Sequence, residues 1–133
     1  MSHPILDEVI DLHRFIQEWM RGSLPKTREA FVRFSEALAG DFMIIHPGGT
    51  SEDRAQVTTS FWSAHGSRDE SFRIEIRNPR HRLSSHHYAL ATYEEWQFGS
   101  TTTARLSTVL FRQRDRNGKP LWVHLHETWL PID

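Results

Sequence analysis

His124 and His126 stand two apart in the run Leu121-Trp122-Val123-His124-Leu125-His126-Glu127-Thr128-Trp129. On a strand, such residues point to one face, here together with Trp122 and Thr128. Two imidazoles on one face could hold a metal if His46, His86 or Glu94 came near as a third ligand. The chain has no cysteine, and no third ligand stands at recognisable spacing, so neither a metal nor any other cofactor is expected. The pair then reads as acid–base or hydrogen-bonding residues. His46 closes the apolar run Phe42-Met43-Ile44-Ile45 just before Pro47-Gly48-Gly49. A neutral imidazole there serves as base or donor near pH 7, or simply caps the turn. Glu94 and Glu127 are the carboxylates best placed on strands. Facing an apolar interior, either would have its pKa raised and become fit for proton transfer. Facing outward, it would pair with a strand arginine such as Arg105. Parity puts Glu127 on the face opposite His124 and His126.

Trp19, Trp62, Trp96 and Trp122, with Phe42, offer rings to line a cavity for a flat apolar ligand. Arg105 is the mid-strand arginine that an anionic ligand would require. Arg68, Arg73, Arg77, Arg80 and Arg82, interrupted by Glu75, read as a solvated face. The chain contains no glycine-rich phosphate loop, no Gly-x-Ser-x-Gly elbow and no nucleophile–base pair at familiar spacing.

The elements that must position these residues follow from hydrophobic period. Ile5, Val9, Leu12, Ile16 and Trp19 make one stripe of a helix over 4–21, with Asp7, Glu8, Asp11, Arg14, Gln17 and Glu18 on its other side. Pro4 suits the first turn and Gly22 the left-handed position after the last. Thr27 caps a second helix over 27–39, and residues 41–46 form a short strand. Ser51 caps a third helix over 51–65, which buries Val57, Phe61 and Ala64. After Gly66 the period falls to two: a strand at 72–77, then long strands at 86–98, 102–114 and 121–130. Turns at 99–100 and 115–118 join them, the second containing Asn117-Gly118. Helices segregated before hairpins predict an α+β domain with a mainly antiparallel sheet.

Composition bounds the rest. At 133 residues, one domain over 1–133 is expected. Hydrophobic residues at 38% and charged residues at 25% exclude a disordered chain. A formal charge of −1 gives no global attraction to nucleic acid or acidic membranes. No apolar run approaches the roughly 18 residues of a membrane span, and Met1-Ser2-His3-Pro4 does not open a signal peptide. With cysteine absent, a reducing cytoplasm is the expected location. The late strands carry apolar residues on both faces: Val109 and Phe111 on one, Leu106 and Leu110 on the other. Two apolar faces predict a homodimer joined sheet to sheet.

The segments Phe42–Gly49 and Gly118–Trp129, in the order helix, helix, strand, helix and meander, carry a family likeness. On them the chain resembles the nuclear transport factor 2-like superfamily, and within it the SnoaL-like proteins and the branch filed as domain of unknown function 4440. The resemblance implies a cone-shaped, cystatin-like α+β fold, with three helices packed on a curved sheet and a pocket at the wide end. Relatives include ketosteroid isomerases, polyketide cyclases and small dehydratases, which typically place an aspartate in the pocket as base. Here the only aspartate along residues 86–130 is Asp115, in a turn. Three readings stay open. One is a small-molecule-binding domain whose cone, walled by Trp19, Phe42, His46, Trp62, Trp96, His124 and His126, takes a small apolar molecule. Another is an isomerase, cyclase or dehydratase using His or Glu as acid and base. The third is a dimerisation module with a filled pocket. An inward-facing titratable group separates the second from the first.

Overall fold

The first helix, α1 (Pro4–Arg21), buries the whole expected stripe of Ile5, Val9, Leu12, Ile16 and Trp19. Gly22 ends it at φ 76°, and a Cβ there would crowd the Gly66 Cα at 3.1 Å. The computed structural model describes residues 3–113 and 118–132. The buried face of α1 is wider than the stripe and includes Glu8 and His13. Glu8, expected on the polar side, accepts from Arg33 Nη1 and Nη2 at 3.2 and 2.9 Å and from Trp122 Nε1 at 2.9 Å. Three charge-assisted bonds make a buried carboxylate tolerable.

Helix α2 (Arg28–Ser35) is capped by Thr27, as expected, but stops four residues short of 39. From Leu38 the chain is already a strand, β1 (Leu38–Ile45), because it pairs in parallel with the last strand (Leu38↔Trp122, Ile45↔His126). A short strand, β2 (Ser51–Asp53), folds back on β1 and delays the third helix to α3 (Arg54–Ser63). Its cap is therefore Asp53, in a capping box with Gln56, and not Ser51. Val57 is fully buried there; Phe61 and Trp62 are partly buried against the core.

Strand β3 (Arg73–Ser84) runs well past the expected 72–77. Asn78 at φ 53° and register shifts between Arg77 and Arg80 and between His81 and Leu83 bend it on the way. Strands β4 (Tyr88–Phe98), β5 (Thr103–Arg112) and β6 (Leu121–Trp129) lie close to their expected spans. The expected turn at 115–118 falls largely outside the described residues. The sheet order is β2-β1-β6-β5-β4-β3, antiparallel except between β1 and β6. The fold is the expected α+β one, three helices against a curved sheet that does not close.

One irregularity decides which residues reach the interior. Leu110 pairs with His124, but Phe111 pairs with Trp122, so Val123 is an extra residue in β6. Parity reverses across it. Trp122 is buried with Leu125 and Glu127, while His124 and His126 lie on the other face. The shared face of Trp122, His124 and His126 expected from simple alternation is corrected here.

Candidate functional site

Alternation on the long strands sends Glu95 and Gln97 of β4, Arg105 of β5, and Leu125 and Glu127 of β6 toward the helices. With α1, β1 and α3 they surround a cavity of about 150 Å³. Leu12, Ile16, Phe34, Phe42, Phe61 and Leu125 make its apolar wall; His13, His46, Glu95, Gln97, Arg105 and Glu127 gather as its polar lining.

His13 and Glu95 form the deepest pair, their side chains 6% and 8% exposed and 3.1 Å apart. The other His13 nitrogen, Nδ1, donates to the Val9 carbonyl at 2.7 Å. Both ring nitrogens thus face acceptors, which suits the imidazolium. Burial works against that charge, but the Glu95 charge and hydrogen bond, with the Val9 hydrogen bond and the Glu127 charge, together outweigh it, and the His13 pKa is raised above 6.5. Burial likewise opposes the Glu95 charge. The His13 charge and hydrogen bond, with Arg105 and Gln97, overcome it and bring Glu95 down to about 2.

Glu127 differs. Its side chain is 4% exposed, and burial followed by the Glu95 charge pushes its pKa above 4.5. Arg105 and His13 oppose that rise without cancelling it. Arg105 Nη1 donates to Glu127 Oε1 at 3.3 Å, and His46 Nδ1 lies 4.0 Å from the same oxygen. His46 Nε2 is 2.7 Å from Glu52 Oε1, and Ser60 donates to Glu52 Oε2 at 3.0 Å. Glu52 is partly exposed, so Glu127, His46 and Glu52 run in line from the cavity toward solvent. Two carboxyls in one cavity, one with its pKa lowered and the other with its pKa raised, are suited to different roles in proton transfer.

Of the residues singled out in the sequence, Phe42, His46, Arg105, Trp122 and Glu127 line this cavity. Trp19 does not: it is fully buried, donates to the Phe61 carbonyl at 2.6 Å, and packs among Phe15, Phe31, Trp62 and His65. Trp62 lines a separate groove with Arg28, Phe31 and Arg54. Trp96 lies on the face away from the cavity, donating to Glu94 at 2.9 Å under the Arg77 guanidinium. Glu94 shares that face, and hydrogen bonds from Trp96 and Asn78 hold its pKa below 4.5. His124 and His126 are on the outer face too, and among the described residues no group of three metal-ligating side chains gathers around them.

His13, Glu95 and Gln97 were missed. His13 sits between Leu12 and Ile16 on the buried helical face, and Glu95 shares parity with the small residues Ala89 and Ala91. Both signals were present, but a charged residue in an apolar pattern is ordinarily placed outside.

Comparison with known families matches the sucrose-6-phosphate phosphohydrolase C-terminal family over residues 5–131. The chain belongs to that family. One curated relative of the family's kind, the probable sucrose-phosphatase 3a of Arabidopsis thaliana, is 21% identical over 125 residues. Those residues are 92% of this chain and 29% of the relative, so the chain spans less than a third of that protein. Among solved structures, a nuclear transport factor 2-like protein of unknown function from Pseudomonas aeruginosa superposes with a TM-score of 0.89. It is 28% identical, over 97% of this chain and 100% of that one. A candidate ketosteroid isomerase from Shewanella frigidimarina gives 0.66 at 18% identity, over 92% of each chain. This member of the sucrose-6-phosphate phosphohydrolase C-terminal family therefore has the nuclear transport factor 2-like, cystatin-like fold. Among its described residues no helix is long and apolar enough to cross a membrane.

Proposed function

We propose that the domain binds a small molecule in the cone and that Glu127 exchanges a proton with it. The observation that carries this reading is Glu127 itself: a buried carboxyl on the wall of an apolar cavity, its pKa pushed up by burial and the Glu95 charge. A binding pocket has no need of such a group, whereas a general acid does. Glu127 donates to a carbonyl or hydroxyl oxygen of the ligand, or takes a proton from the carbon beside it. His46 donates through Nε2 to Glu52, which leaves the Nδ1 lone pair toward Glu127 and a route to solvent once the 4.0 Å gap closes.

Size limits the ligand. A cavity of about 150 Å³ is that of engineered apolar cavities that take up benzene. It suits one ring with one or two polar groups and is too small for a fused polycycle. The test is deuterium exchange at the α-carbons of small cyclic ketones such as cyclohexanone, read by NMR with the full chain in D2O. Wild type is expected to exceed Glu127→Gln by ~10²-fold or more. Equal rates in the two proteins would leave Glu127 without the proposed role.

We also infer a homodimer built on the outer sheet face. Met43 and Leu106 are 36% and 40% exposed there, beside Leu90 and Leu110, and the helices cover only the other face. Light scattering at micromolar concentration is expected to give twice the chain mass of 15.6 kDa; a monomer mass would rule this interface out.

A further inference from the structure

Arg105 and Gln97 line two cavities at once. One is the interior cavity; the other is a neighbouring pocket of about 160 Å³, completed by Arg68, Thr101, Thr103 and Trp129 among others. The second pocket has two arginines and no carboxylate in its lining. Arg68 enters no ion pair among the described residues; its guanidinium lies 5.0 Å over the Phe72 ring while its backbone N–H donates to the Met20 carbonyl. Arg105 is held by Glu127 on one side and lies 4.9 Å over the Trp129 ring. Its Nε is buried and has no hydrogen-bond partner. A buried guanidinium nitrogen without an acceptor is costly unless something supplies one.

On these grounds we propose that the pocket between Arg68 and Arg105 binds the anionic group, a carboxylate or a phosphate monoester, of the molecule that enters the cavity. Arginine forks are suited to either group, and the Thr101 and Thr103 hydroxyls add neutral donors. The chain's net charge of −1 supplies no general attraction for anions, so the affinity must be local. Protonation of Glu127 would release part of the Arg105 fork to the incoming anion. This assignment rests on the cone as a ligand site and names the class of its ligand: a small, singly cyclic compound bearing an acidic group.

The experiment is a titration of the full chain with sodium phosphate and, separately, with sodium benzoate, at constant ionic strength. Chemical shifts of the Arg68, Thr101 and Thr103 amides and of the Arg105 Nε–H are followed. Saturable shifts are expected for at least one anion, weakened about tenfold by Arg68→Gln. Arg68 is exposed, so that variant retains its fold, and an unchanged melting temperature without anion checks this. Saturation by phosphate alone assigns a phosphate ester. Saturation by benzoate with added shifts at Phe34 and Phe61 assigns a carboxylate whose ring fills the cavity. Glu127→Gln is expected to bind the anion at least as well as wild type, so loss of proton transfer and loss of anion binding are told apart. Shifts that stay linear with concentration, or that Arg68→Gln leaves unchanged, would overturn the site.

Discussion

Replacing Glu95 by alanine is expected to destabilise the domain by ~3 kcal/mol or more, the usual cost of stranding one member of a buried ion pair. His13 would be left buried beside the Val9 carbonyl with no counter-charge within hydrogen-bonding reach. The loss carries a pH signature. In the folded protein Glu95 titrates at about 2, against 4.5 for an ordinary glutamate. Its contribution is therefore complete above pH 4.5 and is lost as pH falls through that value toward 2. His13 is shifted the other way, above 6.5. Its contribution is complete below pH 6.5 and fades as pH rises through the folded value. Wild type should thus be most stable between about pH 4.5 and 6.5 as far as this pair is concerned, and Glu95→Ala should flatten both flanks. Urea melts from pH 2 to 9 test this. Parallel curves for the two proteins would mean the pair contributes nothing.

Trp19→Ala should cost a similar ~3–5 kcal/mol, a large part of the ~5–15 kcal/mol that holds a domain together. Trp19 is fully buried, and its indole N–H satisfies the Phe61 carbonyl where α1 meets α3. Trp62→Ala, at a half-exposed ring over which Lys26 lies, should cost clearly less. Thermal melts of the two variants give the order. If Trp19→Ala melts within a few degrees of wild type, the aromatic cluster is not the keystone of the helical layer that its packing suggests.

Trp19 shows what the sequence could and could not convey. Its place on the α1 stripe was legible from the 3.6 period. Whether a ring on that stripe faces a cavity or a neighbouring helix depends on how α3 crosses α1, and no local pattern encodes that. The strands show the same division. Their spans could be read from the period of two, and so could the α+β order of the elements. The face of each side chain in β6 could not, because Val123 adds one residue against Leu110 and Phe111 and turns Trp122 inward while His124 and His126 turn out. A bulge is defined by the partner strand, so a single strand's alternation does not reveal it. The helix ends moved for a related reason: pairing of β1 with β6, and of β2 with β1, claimed residues at 38 and 51–53 that propensity alone leaves to helices. Of the cavity's polar residues, His46, Arg105 and Glu127 were visible as candidates. His13 and Glu95 were not, since each looks misplaced until the other is seen opposite it.

The most direct measurement on the candidate site is a ¹³C NMR titration of the side-chain carboxyls, followed from pH 2 to 9 in the 133-residue chain. Glu95, expected near 2, serves as the internal contrast within the same cavity. For Glu127 the predicted midpoint lies above the ordinary 4.5, because burial and the Glu95 charge outweigh Arg105 and His13. A Glu127 midpoint at or below 4.5 would mean that Arg105 holds it as a plain structural carboxylate, and proton transfer by Glu127 would be contradicted.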